Sequence, residues 1–424
     1  MMYALVVLLV ILLISGMPVS FAIGLSSITI IHLCNLTSLT NVSQLMFSSL
    51  DSYVLVSLPF FILAGAIMTR GLLAKYVFEF AESILCFIPG GLGAATLLTC
   101  IIFAAISGSS LANAAVIGMV AMPILNKQLY PTKFSSALIA SGGTLGILIP
   151  PSITMILFGS LTEESVGKLF MAGVLPGILL GSSLCIMAVI ISKMKNYGGN
   201  IKRVDYKLAS NRLIKALPIL VMPLIILGGI YSGVFTPTEA AVVASVYGLI
   251  IALILFRTIN FIDLMKIFAE GARLSGMIFF IVMSAMLFGF IVTMEQVPQK
   301  LIHFVMTYDL SPWLLLLFLN FLLLFMGCFL DVVSCMLITV PIIYPLFKAI
   351  GINPYHLAVV YTINMEIATI TPPVGMNLFV LSGVAKIPIE TIIKGLLPFF
   401  ILLLMGLILI TYVPIITTWI PGLM

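Results

Sequence analysis

The chain has 424 residues, of which 62% are hydrophobic and only 8% are charged, and its mean hydropathy is +1.30. Soluble domains are about 45–50% apolar and about 25% charged, so this composition excludes a water-soluble globular protein. The net charge of +5 is too small to indicate a nucleic-acid partner. We therefore predict an all-α polytopic protein embedded in the lipid bilayer.

Continuous apolar stretches occur along the whole chain, and a spanning helix needs about 20 such residues. The predicted uninterrupted helices cover residues 3–15, 18–34, 54–70, 174–193, 217–234, 238–256, 274–294 and 395–418. Three scattered histidines and six cysteines without a CxxC pair form no pattern for a zinc or haem site. No phosphate-binding GxxxxGK[ST] motif is present either, so we expect neither an enzyme nor an organic cofactor.

Four further apolar stretches are interrupted by polar or proline-rich breaks. Lipid offers the backbone no hydrogen bonds, so irregular chain at membrane depth must be buried in protein or line a cavity. We predict two re-entrant helical hairpins, 92–126 around Ser107–Ser110 and 313–347 around Gly327–Asp331. We also predict two broken helices, 131–160 at Pro150-Pro151 and 353–384 at Pro372-Pro373, because a Pro-Pro pair leaves carbonyls without donors.

The two halves of the sequence repeat each other. One constant shift, from here on the repeat offset, places Pro123 on Pro345, Pro150 on Pro372, Pro151 on Pro373, Gly173 on Gly395, Leu175 on Leu397 and Pro176 on Pro398. The positive-inside rule places the basic segment 193–216 in the cytoplasm. The map traced from it puts 16 of the 19 Lys and Arg inside, both termini on the periplasmic side, and the two repeats in opposite orientations.

An inverted repeat with paired broken helices indicates a secondary transporter whose site lies near the membrane midplane. Half-helix N-termini suit a carboxylate, and free carbonyls with hydroxyl and amide oxygens suit a hard cation such as Na⁺. The first cluster, Ser107 to Asn113, offers such oxygens but could instead be a small-residue packing patch. Asp331 is an ionisable residue deep in an apolar stretch, which is usually functional, although it could simply cap a helix.

Two glutamates leave their roles open. Glu366, in the second broken helix, could carry a coupling proton, contact substrate or make a structural hydrogen bond. Glu239 follows Thr236 and Thr238 and fits the first turn of a capped helix, so we favour a structural role for it.

Several motifs together resemble the large membrane subunit (M subunit, DctM type) of tripartite ATP-independent periplasmic (TRAP) transporters. They are Gly90-Gly91-Leu92-Gly93, Ser107-Gly108-Ser109-Ser110, Gly146-Ile147-Leu148-Ile149-Pro150-Pro151-Ser152, Thr236-Pro237-Thr238-Glu239-Ala240-Ala241 and Thr371-Pro372-Pro373-Val374-Gly375-Met376-Asn377-Leu378-Phe379. The resemblance covers essentially the whole chain. One departure is Ala368, where the family commonly has glycine.

The resemblance implies a bacterial or archaeal inner-membrane protein that imports an organic acid anion together with Na⁺. It implies two partners, a small four-helix membrane subunit (Q type), expected here as a separate chain, and a periplasmic substrate-binding protein (P type). It also implies a transport domain that moves like an elevator against a scaffold. On this basis we expect scaffold helices in 1–58 and 217–273, repeat 1 in 59–192, a cytoplasmic loop in 193–216 and repeat 2 in 274–424.

The resulting hypothesis assigns two sodium sites and a substrate site. The expected sodium-site residues are Ser107, Gly108, Ser110, Asn113, Gly146, Ile149 and Pro150 in repeat 1, and Gly327, Thr369, Thr371, Pro372 and Gly375 in repeat 2. The expected substrate contacts are Ser109, Ser152, Asp331 and Asn377. The alternatives are a stand-alone sodium/dicarboxylate symporter with the same hairpins, a channel, or a membrane subunit of a redox complex.

Overall fold

The computed structural model describes residues 1–198 and 203–424, and the regular structure in these residues is helical, without β-strands. In this part of the chain, seven helices are long and apolar enough to cross a membrane, or eight if one bent pair is counted as a single span. The prediction of an all-α polytopic membrane protein is therefore confirmed.

The helices of the first half run from the N-terminus to the basic segment. They are α1 (Met2–Ile14), α2 (Val19–Leu33), α3 (Leu39–Ser48), α4 (Ser57–Arg70), α5 (Ala74–Leu85), α6 (Gly91–Ser107), α7 (Ser110–Lys127), α8 (Thr132–Thr144), α9 (Ile153–Thr162) and α10 (Val166–Lys195). A 3₁₀ turn, Leu145–Ile147, extends α8 toward the Pro-Pro pair. The hairpin expected at 92–126 is thus α6 and α7, and the broken helix expected at 131–160 is α8 and α9.

The second half contains ten further α-helices. They are α11 (Tyr206–Tyr231), α12 (Pro237–Ile250), α13 (Phe261–Met294), α14 (Val297–Thr307), α15 (Pro312–Gly327), α16 (Val332–Ala349), α17 (Pro354–Ala368), α18 (Met376–Ala385), α19 (Ile389–Tyr412) and α20 (Ile415–Thr418). A π-helical turn, Ile251–Leu255, continues α12, and a 3₁₀ turn, Pro421–Leu423, follows α20. The second hairpin is α15 and α16, and the second broken helix is α17 and α18.

The prediction of a long loop over 193–216 is wrong for its second half. Helix α10 ends at Lys195, and residues 206–216 already belong to α11. The Asp205 carboxylate accepts hydrogen bonds from the amides of Lys207 and Leu208, so it caps the helix there. Residues 199–202 of this segment lie outside the described residues.

The helices of the two halves correspond at the repeat offset. The offset carries the bounds of α7 onto the bounds of α16, and α8 and α17 begin at equivalent residues. The expected domain boundaries 58/59 and 273/274 fall inside continuous helices, since α4 runs from Ser57 and α13 runs from Phe261 to Met294. Each repeat therefore shares a helix with the segment that precedes it.

Helices of each repeat pack on helices of the other repeat. Helix α9 of repeat 1 packs on hairpin helix α16 of repeat 2, and the equivalent α18 packs on α7 of repeat 1. Likewise α10 packs on α17, while α19 packs on α8. The Phe158 ring meets Tyr344 edge-on at a centroid distance of 6.1 Å in the first exchange. As a result, the two hairpins and the two breaks form a single packed unit.

Two short amphipathic helices precede the hairpins at equivalent positions, and the sequence analysis did not predict them. Helix α5 is bent by 64° from α4, and α14 follows α13 after only Glu295 and Gln296. Arg212 of α11 fixes α5 by bonding the Glu82 carboxylate at 3.0 Å and the Glu79 carbonyl at 2.8 Å. The repeat offset, which carries 74–85 onto 296–307 and thus onto α14, is the signal that could have revealed these helices.

Candidate transport site

Each hairpin loop lies against the break of its own repeat, which forms two half-sites. Half-site 1 comprises the loop Ser107–Ser110 and the break Gly146–Pro151, and half-site 2 comprises the loop Gly327–Asp331 and the break Thr369–Gly375. In half-site 1 the amide of Ile153 donates to the Gly108 carbonyl at 3.4 Å, and in half-site 2 the amide of Val374 donates to the Cys328 carbonyl at 3.3 Å.

Half-site 1 is closely packed because two glycines allow backbone to meet backbone. Gly108 has φ +61°, which favours glycine, and a Cβ there would lie 2.8 Å from the Pro151 carbonyl oxygen. A Cβ at Gly146 would lie 2.5 Å from the Ser109 carbonyl oxygen. The hairpin loop and the break therefore touch at Gly108 and at Gly146, and the expected ligands Gly108, Gly146, Ile149 and Pro150 are all buried.

The side-chain oxygens expected in half-site 1 are also buried. Ser107, Ser110 and Asn113 have at most 3% of their surface exposed. The Asn113 amide donates to the carbonyl oxygens of Cys100, Gly142 and Gly143 at 3.1, 3.4 and 3.5 Å. This leaves Asn113 Oδ1 buried without a hydrogen-bond partner, which is the state of an oxygen available to a cation.

Helix α4 covers half-site 1 from outside the repeat pair. A Cβ at Gly65 would lie 3.1 Å from the Ser107 carbonyl oxygen, so the two backbones are nearly in contact. Ser57, Leu58 and Phe61 on the same helix are buried as well. Half-site 1 therefore has no open side toward α4.

Half-site 2 contains a cavity of about 40 Å³, enough space for a water molecule or a small ion. Four predicted site residues line it: Gly327, Thr369 and Gly375, expected at the sodium site, and Asp331, expected to contact substrate. Ala368 also lines the cavity, and its Cβ would clash with a Cβ placed on Gly327. Thr371, Pro372 and Asn377 are not among the lining residues.

The other predicted residues of repeat 2 lie on the same break or at the start of α18. The Thr369 hydroxyl donates to the Glu366 carbonyl at 2.7 Å and accepts from the Asn377 amide at 3.1 Å. The Thr371 hydroxyl donates to the Ile367 carbonyl at 2.7 Å. Asn377 is fully buried and its Oδ1 has no partner, as with Asn113. In contrast, Pro372 and its neighbour Pro373 are exposed.

Ser109 and Asp331 are equivalent helix caps, related by the repeat offset. Ser109 Oγ accepts from the Ala112 amide at 3.4 Å at the start of α7, and Asp331 Oδ2 accepts from the Ser334 amide at 3.0 Å at the start of α16. Ser152, the third expected substrate contact, caps α9 through the Met155 amide and is fully buried. At this equivalent position, repeat 1 therefore has a hydroxyl group and repeat 2 has a carboxylate.

The structure also decides the role of one glutamate and gives a partner to another. Glu239 and Thr236 form a reciprocal capping box at the start of α12, with the Thr236 amide donating to Glu239 Oε2 at 2.8 Å and the Glu239 amide donating to Thr236 Oγ1 at 3.3 Å. The structural interpretation of Glu239 is confirmed.

Glu366 is fully buried, and its carboxylate accepts a hydrogen bond from Thr144, a residue that the sequence analysis did not single out.

The donor set of both half-sites consists of oxygen atoms. Within residues 1–198 and 203–424, no group of three or more His, Cys, Asp or Glu side chains could hold a metal ion. Carbonyl, hydroxyl and amide oxygens select hard cations over transition metals. The oxygen atoms present at the two half-sites are therefore of the kind that hard cations prefer.

A model of the family described as "Tripartite ATP-independent periplasmic transporter, DctM component" matches residues 6–416. The chain belongs to this family. It is 42% identical over 403 residues to the C4-dicarboxylate TRAP transporter large permease protein DctM of Pseudomonas aeruginosa, covering 95% of this chain and 94% of the relative. It is 34% identical over 412 residues to the sialic acid TRAP transporter large permease protein SiaM of Vibrio cholerae, covering 97% and 96%.

These relatives are named as permeases, so the DctM chain is a transporter component and not an enzyme. Among solved structures, the YdaH transporter of Alcanivorax borkumensis superposes with a TM-score of 0.63 over 91% of both chains at 15% identity. That likeness concerns the fold alone. The resemblance inferred from the motifs is confirmed by the family match.

Proposed function

We propose that this DctM chain is the transport subunit of a Na⁺-coupled importer of an organic acid anion. The observation that carries the proposal is the juxtaposition, in each repeat, of a hairpin loop and a helix break rich in unpaired oxygens. Asn113 Oδ1 and Asn377 Oδ1 are buried without partners next to these points. An oxygen in that situation is unfavourable unless it gains a ligand, and a cation supplies one.

The first Na⁺ would bind in half-site 1, through Ser107, Ser110 and Asn113 and the backbone of Gly108, Gly146, Ile149 and Pro150. The second would bind in half-site 2, through the cavity formed by Gly327, Thr369 and Gly375, with Thr371 and Pro372 on the same break. The Asp331 carboxylate lines this cavity. Since a carboxylate repels an anion, Asp331 would favour the cation or a hydroxyl group of the substrate.

The substrate would bind between the half-sites, where α7 and α9 begin at Ser109 and Ser152 and α18 begins next to Asn377. Helix N-termini attract a carboxylate through their free amides and dipoles. Bound sodium ions offset the charge of the anion, so the loaded site crosses the membrane at a lower electrostatic cost than the bare anion. The C4-dicarboxylate and sialic acid names of the relatives indicate the substrate class.

The proposed assembly contains a separate small membrane subunit of the Q type and a periplasmic binding protein of the P type. Its setting is the bacterial inner membrane, with both termini periplasmic and the segment around 196–205 cytoplasmic. In the proposed elevator mechanism, the packed unit of hairpins and breaks moves as one body against α1–α4 and α11–α13. The exchanged contacts between the repeats support this, because they would make the two half-sites move together.

The test is uptake into proteoliposomes that contain this chain and its small subunit. A labelled panel of organic acids is offered with an inward Na⁺ gradient and the binding protein, and then with either one omitted. We expect uptake only when both are present, and we expect Ser110→Ala and Thr371→Ala to weaken Na⁺ dependence separately. Uptake without the binding protein would indicate a stand-alone symporter instead, and flux that needs neither would indicate a channel.

A further inference from the structure

Thr144 and Glu366 occupy equivalent positions in the two repeats and bind each other. They are separated by 222 residues, the offset that aligns the halves, and the Thr144 hydroxyl donates to Glu366 Oε1 at 2.7 Å. Two equivalent residues can touch only close to the axis that relates their repeats. This hydrogen bond therefore lies at the centre of the paired repeats, between the two breaks.

The bond is isolated from solvent and from charged partners. Both residues are fully buried, and Glu366 Oε2 has no hydrogen-bond partner. No ion pair involving Glu366 occurs among the described residues. A hydrogen bond in such low-dielectric surroundings is electrostatically stronger than one in water, so its formation or loss is a discrete event.

Thr144 has two possible acceptors. Its hydroxyl lies 2.7 Å from Glu366 Oε1 and also 2.7 Å from the carbonyl oxygen of Ser141 in its own helix. As long as Glu366 is ionised, the single hydroxyl proton of Thr144 can be donated to only one of these two oxygens at a time. The residue therefore has two alternative arrangements, one within repeat 1 and one across to repeat 2.

Each arrangement is linked to one half-site. On the repeat 1 side, Asn113 donates to the carbonyls of Gly142 and Gly143, which lie between Ser141 and Thr144. On the repeat 2 side, the Glu366 carbonyl accepts from the Thr369 hydroxyl at 2.7 Å, and that hydroxyl accepts from Asn377 at 3.1 Å. Hydrogen bonds and adjacent backbone groups thus connect residues of one expected cation site with residues of the other.

We propose that Thr144 and Glu366 are positioning residues that couple the two half-sites, so that Na⁺ in one raises the Na⁺ affinity of the other. This inference rests on the proposed function, since it requires two cation sites. A two-state element that both sites bias is the physical basis of such coupling, and the coupling is reciprocal by linkage. The proposal predicts cooperative Na⁺ binding. The cooperativity is lost when the Thr144 hydroxyl is removed and is kept when the Glu366 charge is removed.

The experiment measures Na⁺ dependence in two ways on the purified chain with its small subunit. Thermal unfolding in detergent is followed against Na⁺ at constant ionic strength with choline, and initial uptake is followed against Na⁺ in proteoliposomes. Thr144→Val removes the hydroxyl, Thr144→Ser keeps it, and Glu366→Gln keeps the acceptor oxygen. We expect wild type, Thr144→Ser and Glu366→Gln to share a Hill coefficient above 1, and Thr144→Val to fall to about 1 while still binding Na⁺.

The outcomes separate the two proposals. A wild type whose unfolding and uptake are both insensitive to Na⁺ contradicts the proposed function itself. A wild type that binds Na⁺ without cooperativity, or a Thr144→Val variant that keeps the wild-type Hill coefficient, overturns the coupling alone. If Thr144→Val does not fold, Thr144→Ala is measured in its place. Loss of cooperativity in Glu366→Gln would also contradict the proposal, since the acceptor is retained there.

Discussion

Half-site 1 is sealed within the protein, whereas half-site 2 opens to the surface, although the two have equivalent frameworks. Ser152 of half-site 1 is fully buried, and its equivalent in repeat 2, Val374, is 39% exposed. Pro150 and Pro151 are buried, while Pro372 and Pro373 are exposed. Helix α4 covers the first loop at Ser107, and Phe329, at the equivalent position of the second loop, is 58% exposed.

A few side-chain differences account for this contrast. The residue of the break that meets the hairpin loop is Gly146 in repeat 1 and Ala368 in repeat 2. The missing Cβ at Gly146 lets the Ser109 backbone rest on the break, whereas in repeat 2 the Ala368 methyl group packs against Gly327 and lines the cavity. Gly327 then provides the space that the methyl group needs.

The largest effect is expected from Gly146→Ala. The new Cβ would lie 2.5 Å from the Ser109 carbonyl oxygen, which is backbone and cannot rotate away. Overpacking of this kind destabilises by about 1–3 kcal/mol, which corresponds to about a 5- to 150-fold loss of Na⁺ affinity if the loop must separate from the break. Na⁺-dependent uptake and thermal unfolding measure the two consequences.

The control for that variant is Gly276→Ala in α13, where a Cβ would have no neighbour within 4 Å. It should retain wild-type uptake. Normal Na⁺ affinity in Gly146→Ala would show that close approach of loop and break is unnecessary, and the packing argument for half-site 1 would then be wrong.

A smaller and reversible effect is expected at the contact between Gly327 and Ala368 in half-site 2. Gly327→Ala would bring its new Cβ into a clash with the Ala368 Cβ, so the loop or the break must shift and the cavity must close. We expect uptake to fall about tenfold, equivalent to about 1.4 kcal/mol. The double variant with Ala368→Gly removes the opposing methyl group and should recover most of the activity, as a double-mutant cycle of uptake would show.

Ala368→Gly alone serves as the control and should remain active. If the double variant is as impaired as Gly327→Ala, then the Gly327 effect does not arise from its contact with Ala368, and the explanation of the cavity fails.

Asp331→Asn should weaken Na⁺ binding about fivefold, by about 1 kcal/mol, with little effect on stability. Asparagine caps helices as well as aspartate does, so the hydrogen bond to the Ser334 amide survives and only the charge is lost. Na⁺ titration of uptake gives the affinity change. Ser109→Ala is the matched comparison in half-site 1, since it removes a cap without removing a charge and should reduce stability by about 0.5–2 kcal/mol.

If the Asp331→Asn variant keeps its Na⁺ dependence but has an altered substrate affinity, the carboxylate interacts with the substrate and not with the cation. An Asp331→Asn variant with unchanged Na⁺ dependence and unchanged substrate affinity would instead reduce Asp331 to a helix cap like Ser109.

The sequence alone located the breaks in the apolar stretches and the helices on either side of them, because lipid penalises unsatisfied backbone so strongly that broken apolar stretches are informative. Helix α7 and its equivalent α16 were covered by the expected hairpins, and their equivalence at the repeat offset extends to their end points. What the sequence could not provide was which half-site is open. That depends on packing by distant residues such as Gly65 against Ser107, which leave no periodic pattern.

The amphipathic helices and the Thr144–Glu366 bond were missed for different reasons. Helices α5 and α14 are too short and too polar for a search based on about 20 apolar residues, and they become recognisable only when the two halves are aligned. Thr144 looks like an ordinary threonine at a helix end until the fold brings it to Glu366. Polar pairs that form between repeats are therefore the least predictable part of the site.

Cysteine labelling at Ser152 and at its equivalent Val374 measures most directly the difference in exposure between the two half-sites. Of the proposed changes, these two substitutions should perturb function least. Ser152→Cys and Val374→Cys are treated with a membrane-permeant maleimide, and each modified peptide is followed by mass spectrometry so that the native cysteines do not interfere. Val374→Cys should react at least about 100-fold faster, equivalent to about 2.7 kcal/mol of opening free energy at the buried position. Na⁺ should slow the reaction at Val374→Cys, because an ion bound in half-site 2 would stabilise the closed arrangement of its loop and break. Comparable rates at both positions would mean that the two half-sites open equally, and the asymmetry would then belong to one state of the transport cycle and not to the side chains at positions 146 and 368.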